Sequence, residues 1–142
     1  MPAAVLNGLE TVRAAKQGFR PLARAAEVIE LSTGGLCTSI ASLQSKRELY
    51  RAVLQASLDG IRLTVTQRER VLPVLMKQFA VTYDEAGFIY DNVHSDWALD
   101  GKPTAGSTKF EFDLAQKEMG LKEAPRPEQV YNFSLLDEIV KK

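Results

Sequence analysis

The sequence is poor in the residues that most often build metal, redox and nucleophilic centres. Its 142 residues include one cysteine, Cys37, one histidine, His94, and one tryptophan. A single cysteine excludes a disulfide within the chain and a zinc or iron–sulfur site built from cysteines. His94 is the only imidazole that could activate Cys37, and no flanking motif supports that pairing. We therefore expect Cys37 to be a buried structural residue.

An excess of charge of one sign is also absent, since 18 basic side chains balance 18 acidic ones. The chain thus lacks the general positive field that drives binding to nucleic acid or anionic lipid. Charge is uneven along the chain: residues 1–80 carry eleven Lys/Arg against six Asp/Glu, and residues 81–142 carry seven against twelve. No apolar run reaches the length of a membrane span, and the N-terminus has no basic region of the signal-peptide type.

The composition that is present, 45% apolar and 25% charged, is typical of one folded domain of this length. Three segments predict strands because β-branched and small apolar residues follow or precede turn residues: "PAAVL", "FRPLARAAEVIEL" and "GGLCTSIASL". Between the first two, "LETVRAAKQG" predicts a helix that ends at Gly18.

Helices are predicted throughout the rest of the chain. Four Ser/Thr-x-x-Glu patterns predict helix starts with capping boxes, at Ser45, Thr66, Thr82 and Thr108. In the first of these helices, a buried stripe is predicted from apolar residues at helical spacing, namely Leu54, Leu58, Ile61 and Val65. Pro73 predicts a kink in the second helix, and Ser134 is expected to cap a last short one.

The stretch "STGGLCTS", residues 32–39, invites a comparison with phosphate-binding loops. It lacks the spacing and the lysine of a Walker loop and the spacing of a dinucleotide fingerprint. In "DNVHSDW", residues 91–97, a helix places Asp91 and His94 on a different face from Asn92 and Asp96. That arrangement does not favour a metal site.

Paired carboxylates for acid–base catalysis are not apparent either. Glu111 and Asp113 are separated by one residue, so a helix points them apart. Ser107 lacks the G-x-S-x-G context of a nucleophile elbow. We therefore predict that the chain is not an enzyme and has no catalytic residue, no metal and no cofactor.

The order of several segments carries more information than any single motif. These segments are "AAVLNGLETVRAAKQGFRPLARAAE", "GGLCTS", "KRELYRAVLQASLDGIRLT", "YDNVHSDWALDGKPT" and "VYNFSLL". Together they resemble the C-terminal half of a periplasmic solute-binding protein of the nitrate, sulfonate, taurine and thiamine-precursor type that serves ABC transporters. The likeness covers nearly the whole chain.

The resemblance implies an α/β class: a partial type II periplasmic-binding-protein-like fold with few strands followed by about five helices. Residues 1–32 would be a remnant of the second lobe, a strand, a helix and a strand. Residues 33–142 would form the C-terminal part of the first lobe, in which small residues let the "GGLCTS" strand pass close to its neighbours, with Cys37 beside the sheet. The predicted ligand contacts are Leu6, Asn7, Leu9, Thr38 and Ser39.

The implied function is that of the substrate-binding component, as a C-terminal fragment, of an ABC importer for a small organic or anionic solute. Its partners would be the solute and, in the intact protein, the transporter permease. The location would be periplasmic if the chain is part of an exported protein. Uncovered apolar faces predict a homo-oligomer. The alternatives are a fragment of an enzyme related to thiamine-pyrimidine synthesis and a stand-alone interaction or regulatory domain.

Overall fold

The computed structural model describes residues 3–32 and 34–140, and over these ranges the chain forms helices and no β-strand. The α-helices are, in chain order, α1 Gly8–Lys16, α2 Ile40–Ser45, α3 Arg47–Thr66, α4 Arg68–Phe79, α5 Tyr83–Val93, α6 Ala105–Met119, α7 Pro127–Val130 and α8 Ser134–Val140. Short 3₁₀ helices occupy Ala25–Glu27 and His94–Asp96. The fold class is therefore all-α, and the predicted α/β class is wrong.

All three predicted strands are absent from the part of the chain that the structure describes. Residues 3–6 have no regular structure, Ala25–Glu27 is a 3₁₀ turn inside the second predicted strand, and Ile40 opens α2 inside the third. The strand preference of Val and Ile expresses how these side chains pack on a sheet surface. Without neighbouring strands to pair with, the same residues do not form a sheet.

The first of two compact units comprises the described residues of Met1–Arg24 and Gly60–Trp97. Its core cluster lies between α4 and α5 and consists of Val71, Leu72, Ala86 and Tyr90. Leu72 and Ala86 are fully buried. The Tyr90 hydroxyl donates to the carbonyl of Val65 at 3.3 Å, so the aromatic ring is buried without losing its polar bond.

The second unit comprises the described residues of Ala25–Asp59 and Ala98–Lys142. Its core cluster joins α3 to α8 through Leu58, Leu136 and Ile139, with Leu54 and Phe133 packed against it. Gly101 lies against this cluster with φ +71°, a backbone conformation that glycine adopts without strain. The predicted lobe assignment, residues 1–32 and 33–142, stays a prediction.

The predicted stripe along α3 is present. Leu58 is buried, and Leu54, Ile61 and Val65 are half-buried. The predicted end of α1 is also confirmed, because Gly18 has φ +84° and its amide and that of Phe19 donate back into the last turn of the helix. Pro73 lies inside α4.

Of the four predicted capping boxes, one forms. Thr82 and Glu85 make a complete box at the start of α5. Ser45 instead ends α2, and the Thr66 hydroxyl donates to the carbonyl of Arg62 near the end of α3. Thr108 lies inside α6, which starts three residues earlier and is capped by Thr104.

Many apolar side chains are exposed. The most exposed ones in the N-terminal 40 residues are Val5, Phe19, Leu22, Val28, Leu36 and Ile40. Cys37 is exposed as well, so the prediction of a buried cysteine is wrong, as is its place beside a sheet. Trp97 is 51% exposed. Among the described residues, no helix has both the length and the apolar character needed to cross a membrane.

Candidate functional site

The first three predicted contacts, Leu6, Asn7 and Leu9, surround the start of α1 in the first unit. Asn7 is the N-cap, and its Oδ1 accepts from the amide of Glu10 at 3.1 Å. The amide of Asn7 donates to the Glu10 carboxylate at 3.2 Å, which completes a capping box. Leu6 is 43% exposed and Leu9 half-buried. The side-chain oxygen of Asn7 is thus engaged by its own helix, and the two leucines offer apolar surface beside it.

The other two predicted contacts, Thr38 and Ser39, lie in the second unit, just before α2. Ser39 is the N-cap of α2 and accepts from the amide of Ser42 at 3.1 Å. The Thr38 hydroxyl donates to the phenolic oxygen of Tyr50 at 2.7 Å. Both residues are exposed, and their role as ligand contacts stays a prediction.

Thr38 belongs to a cluster of three hydroxyl groups centred on Tyr50. The Ser42 hydroxyl is 2.7 Å from the same phenolic oxygen. Hydrogen bonds from Ser42 and Thr38, together with the weaker influence of the Lys46 charge, hold the pKa of Tyr50 below its usual value. When Thr38 and Ser42 both donate, the phenolic proton of Tyr50 is directed away from them and is available to an acceptor outside the chain.

Sequence reasoning missed Ser42 and Tyr50. They are eight residues apart, and Lys46, between α2 and α3, breaks the helical path that would have fixed their spacing. The Ser45 capping pattern predicts a helix start close to this break. A prediction of a second short helix that ends where this helix begins would have placed Ser42 near Tyr50.

A second polar cluster connects Ser32, Ser107, Glu111 and Tyr131 in the second unit. The amide of Ser32 donates to Glu111 Oε1 at 2.5 Å, and the Ser107 hydroxyl donates to the same oxygen at 2.7 Å. The hydroxyls of Ser32 and Ser107 are 3.0 Å apart. The Tyr131 hydroxyl donates to Glu111 Oε2 at 3.3 Å. Ser107 is the buried polar residue of this cluster, at 3% exposure.

These donors stabilise the ionised form of Glu111. Burial acts to raise its pKa, but the hydrogen bonds from Ser32, Ser107 and Tyr131 outweigh that effect and bring the pKa below its usual value. The sequence indicates only that Glu111 and Asp113 point apart. The backbone donor to Glu111, Ser32, is 79 residues away, and no sequence motif indicates that the two residues are in contact.

The structure also has two open grooves, one on each unit. The groove on the second unit has a volume of about 540 Å³ and lies between α6 and the 124–127 segment. It is lined by apolar residues that include Phe112 and three prolines, Pro103, Pro125 and Pro127, and by the ion pair of Lys109 and Asp113. The groove on the first unit, about 280 Å³, lies between α1 and α5.

The polar residues of the 91–97 stretch are engaged within the first unit. Asp91 pairs with Arg68 at 3.2 Å, and Asp96 pairs with Arg24 at 3.1 Å. The ring of His94 stacks on Tyr90 with centroids 4.8 Å apart, and its Nδ1 lies 3.1 Å from the Tyr90 carbonyl. These contacts explain the residues as structural parts of α5 and its C-terminal end.

Comparisons of this chain with protein-family models, with curated proteins and with solved structures found no match.

Proposed function

We propose that this chain is part of the substrate-binding component of an ABC importer for a small organic or anionic solute. The resemblance in segment order motivates the proposal. The observation that carries it is the hydroxyl cluster of exposed Thr38 with half-buried Ser42 and Tyr50, because Thr38 lies in the segment for which that resemblance implies solute contact. The proposal concerns function, and the fold of the chain is the helical one described above.

The chemistry of the cluster suits a solute that carries oxygen acceptors. A sulfonate, carboxylate or nitrate oxygen accepts hydrogen bonds from hydroxyl groups, and charge-assisted bonds of this kind are stronger than neutral ones. Lys46 adds a positive charge near Tyr50. Ser39 contributes by starting α2 and thereby orienting Thr38 and Ser42, rather than by offering its own oxygen.

The exposed apolar side chains support the partner predictions. Val5 is 98% exposed, and Phe19, Leu22 and Leu36 are each more than half exposed. Exposed apolar surface favours contact with another polypeptide. We therefore retain the permease, the remainder of an intact receptor and a second copy of this chain as proposed partners, with a periplasmic location for an exported protein.

A stand-alone interaction domain is the second candidate function. The observation that favours it is the absence of any strand from the described residues, which removes the sheet that the resemblance implies. Such a domain would use the same exposed apolar residues to bind another protein and would bind no solute.

Calorimetric titration separates the two candidates. The ligands are taurine, nitrate and a pyrimidine, and the variants are Tyr50→Phe and Thr38→Val. Solute binding predicts heat with at least one ligand and weaker binding in both variants, while the control Thr64→Ala on α3 binds like the wild type. No heat with any ligand contradicts solute binding. Binding that is unchanged in Tyr50→Phe contradicts the role of the hydroxyl cluster.

Association is tested separately by light scattering under reducing conditions at micromolar concentration. The exposed apolar residues predict a dimer or larger species. The matched variants are Leu22→Ser, at an exposed apolar position, and Arg20→Ser, at an exposed polar one. Dissociation by the first and not by the second supports the proposal, and a monodisperse monomer in the wild type contradicts it.

A further inference from the structure

Residues 28–32 form a segment without helical structure, which we call the anchored segment. Its apolar side chains do little to hold it, because Val28, Ile29 and Leu31 are 74%, 43% and 50% exposed. The amides of Val28 and Ile29 donate to the carbonyl of Ala25, which is part of the preceding 3₁₀ turn. These bonds close a local turn and do not attach the segment to another helix.

The hydrogen bonds to another helix are made at Ser32, and the Glu30 carboxylate lies beside Gly106 at the start of the same helix. The Ser32 amide donates to Glu111 at 2.5 Å, and its hydroxyl is 3.0 Å from that of Ser107, so two groups of α6 hold one residue of the segment. Ser107 also donates to Glu111 at 2.7 Å, which fixes the carboxylate on its own helix. Glu111 therefore presents an oriented, charged acceptor to a backbone amide that is 79 positions earlier in the chain.

The third donor to Glu111, Tyr131, is held independently. Its ring packs edge-on against Phe112 at 5.6 Å and lies 5.4 Å from the ring of Phe133. Loss of the carboxylate would leave these aromatic contacts in place. Helix α6 is capped by Thr104 through the amide of Ser107 and has Phe112 in its buried face, so it does not need Glu111 either.

We propose that Glu111 is a releasable anchor for the anchored segment. With the carboxylate in place, the Ser32 amide is hydrogen-bonded to Glu111, and the backbone that carries the exposed side chains of Val28 and Leu31 is held against α6. Without the carboxylate, the segment leaves α6 while the helix stays folded, and the Ser32 amide becomes available to another acceptor. This conformational device does not depend on the proposed solute-binding function.

Amide hydrogen exchange of the purified chain tests the anchor, with Glu111→Ala as the main variant. Loss of its hydrogen bond to a charged acceptor is expected to speed exchange of the Ser32 amide by about tenfold or more. Ser107→Ala, which removes the second contact and frees the carboxylate to rotate, is expected to give a smaller increase. Glu118→Ala, an exposed acid on the same helix, is the matched control and leaves the exchange of the Ser32 amide unchanged.

The amides of residues 108–116 in α6 are measured in the same experiment. They are expected to stay within about twofold of the wild type, because the cap and the buried face of α6 are intact. Unchanged exchange of the Ser32 amide in Glu111→Ala overturns the inference. So does an equal increase along α6, which would mean that the carboxylate stabilises the helix rather than the segment. If Glu111→Ala does not fold, Glu111→Leu carries the same test, since it keeps most of the side-chain volume and removes both acceptor oxygens.

Discussion

Thr82 and Glu85 satisfy each other's backbone amides at the start of α5. The amide of Thr82 donates to Glu85 Oε2 at 2.7 Å, and the amide of Glu85 lies 3.4 Å from the Thr82 hydroxyl. Lys16 of α1 adds an ion pair to the same carboxylate. Helix α5 also contributes the buried residues Ala86 and Tyr90 to the core of the first unit, so the cap lies at the start of a core helix.

Replacing Thr82 by alanine is expected to lower the free energy of unfolding by about 1 kcal/mol, as for other N-cap threonines. Thr108→Ala is the matched control, because the same Thr-x-x-Glu pattern there lies inside α6 and makes no cap. It is expected to change stability by about 0.5 kcal/mol or less. Urea denaturation followed by circular dichroism compares the two. Equal losses in both variants would contradict the assignment of the cap.

The pH dependence of stability should contain a contribution from Glu85. The hydrogen bond from Lys16, followed by those from Thr82, lowers the pKa of Glu85 from 4.5 to about 2. A carboxylate with a lowered folded-state pKa stabilises the fold fully above its unfolded pKa, and this contribution is lost as the pH falls from 4.5 toward 2. Glu85→Gln is therefore expected to be less stable than the wild type at neutral pH.

The difference between Glu85→Gln and the wild type is expected to shrink as the pH is lowered, because the wild type becomes protonated too. Urea midpoints measured between about pH 7 and pH 2.5 follow this convergence. Glu118→Gln, at an exposed position of α6, supplies the control and should run parallel to the wild type. A constant gap at every pH would show that the charge of Glu85 is not what stabilises the cap.

Two glycine substitutions should change the free energy of unfolding in opposite directions. Gly101 has φ +71°, and a Cβ there would lie 3.1 Å from Leu58 Cδ2 and 3.5 Å from two carbons of Leu136. Gly101→Ala is expected to destabilise by about 1–2 kcal/mol from the left-handed backbone alone. Gly60 lies in α3, and a Cβ added there would have no neighbour within 4 Å, so Gly60→Ala is expected to stabilise by about 0.5–1 kcal/mol. Thermal unfolding measures both changes, and the same sign for both would be inconsistent with the structure.

The core of the first unit depends on Leu72, which is fully buried in α4. Leu72→Ala is expected to cost about 2–5 kcal/mol through lost apolar contacts and the cavity that remains. Val74, two residues further on, is 63% exposed, and Val74→Ala should change stability by about 0.5 kcal/mol or less. Calorimetric unfolding distinguishes a core position from a surface position on the same helix. A loss at Val74 as large as that at Leu72 would contradict the packing.

Local sequence patterns predict some structural elements correctly and others wrongly. The Gly18 stop, the stripe around Leu58 and the box at Thr82 depend on residues within one or two turns, and the structure confirms them. Thr108 carries the same pattern as Thr82, but the helix starts at Ala105 because Thr104 offers an earlier cap. A short motif does not reveal a competing cap on its N-terminal side.

The predicted strands are wrong for a different reason. Val28 and Ile29 favour strands in a sheet, but a strand exists only through its pairing with neighbours, and sequence preference does not supply the neighbours. The same limit applies to the candidate site. The sequence points to Thr38, whereas its partner Tyr50 and the Ser32–Glu111 contact depend on how separate segments meet in space.

Cys37 is exposed, and it is the only thiol in the chain. A maleimide fluorophore will consequently attach at one position without any engineered mutation. That position is next to Thr38 and five residues after Ser32, so emission from the dye reports on the surroundings of the Thr38–Tyr50 and Ser32–Glu111 contacts in a native-sequence sample.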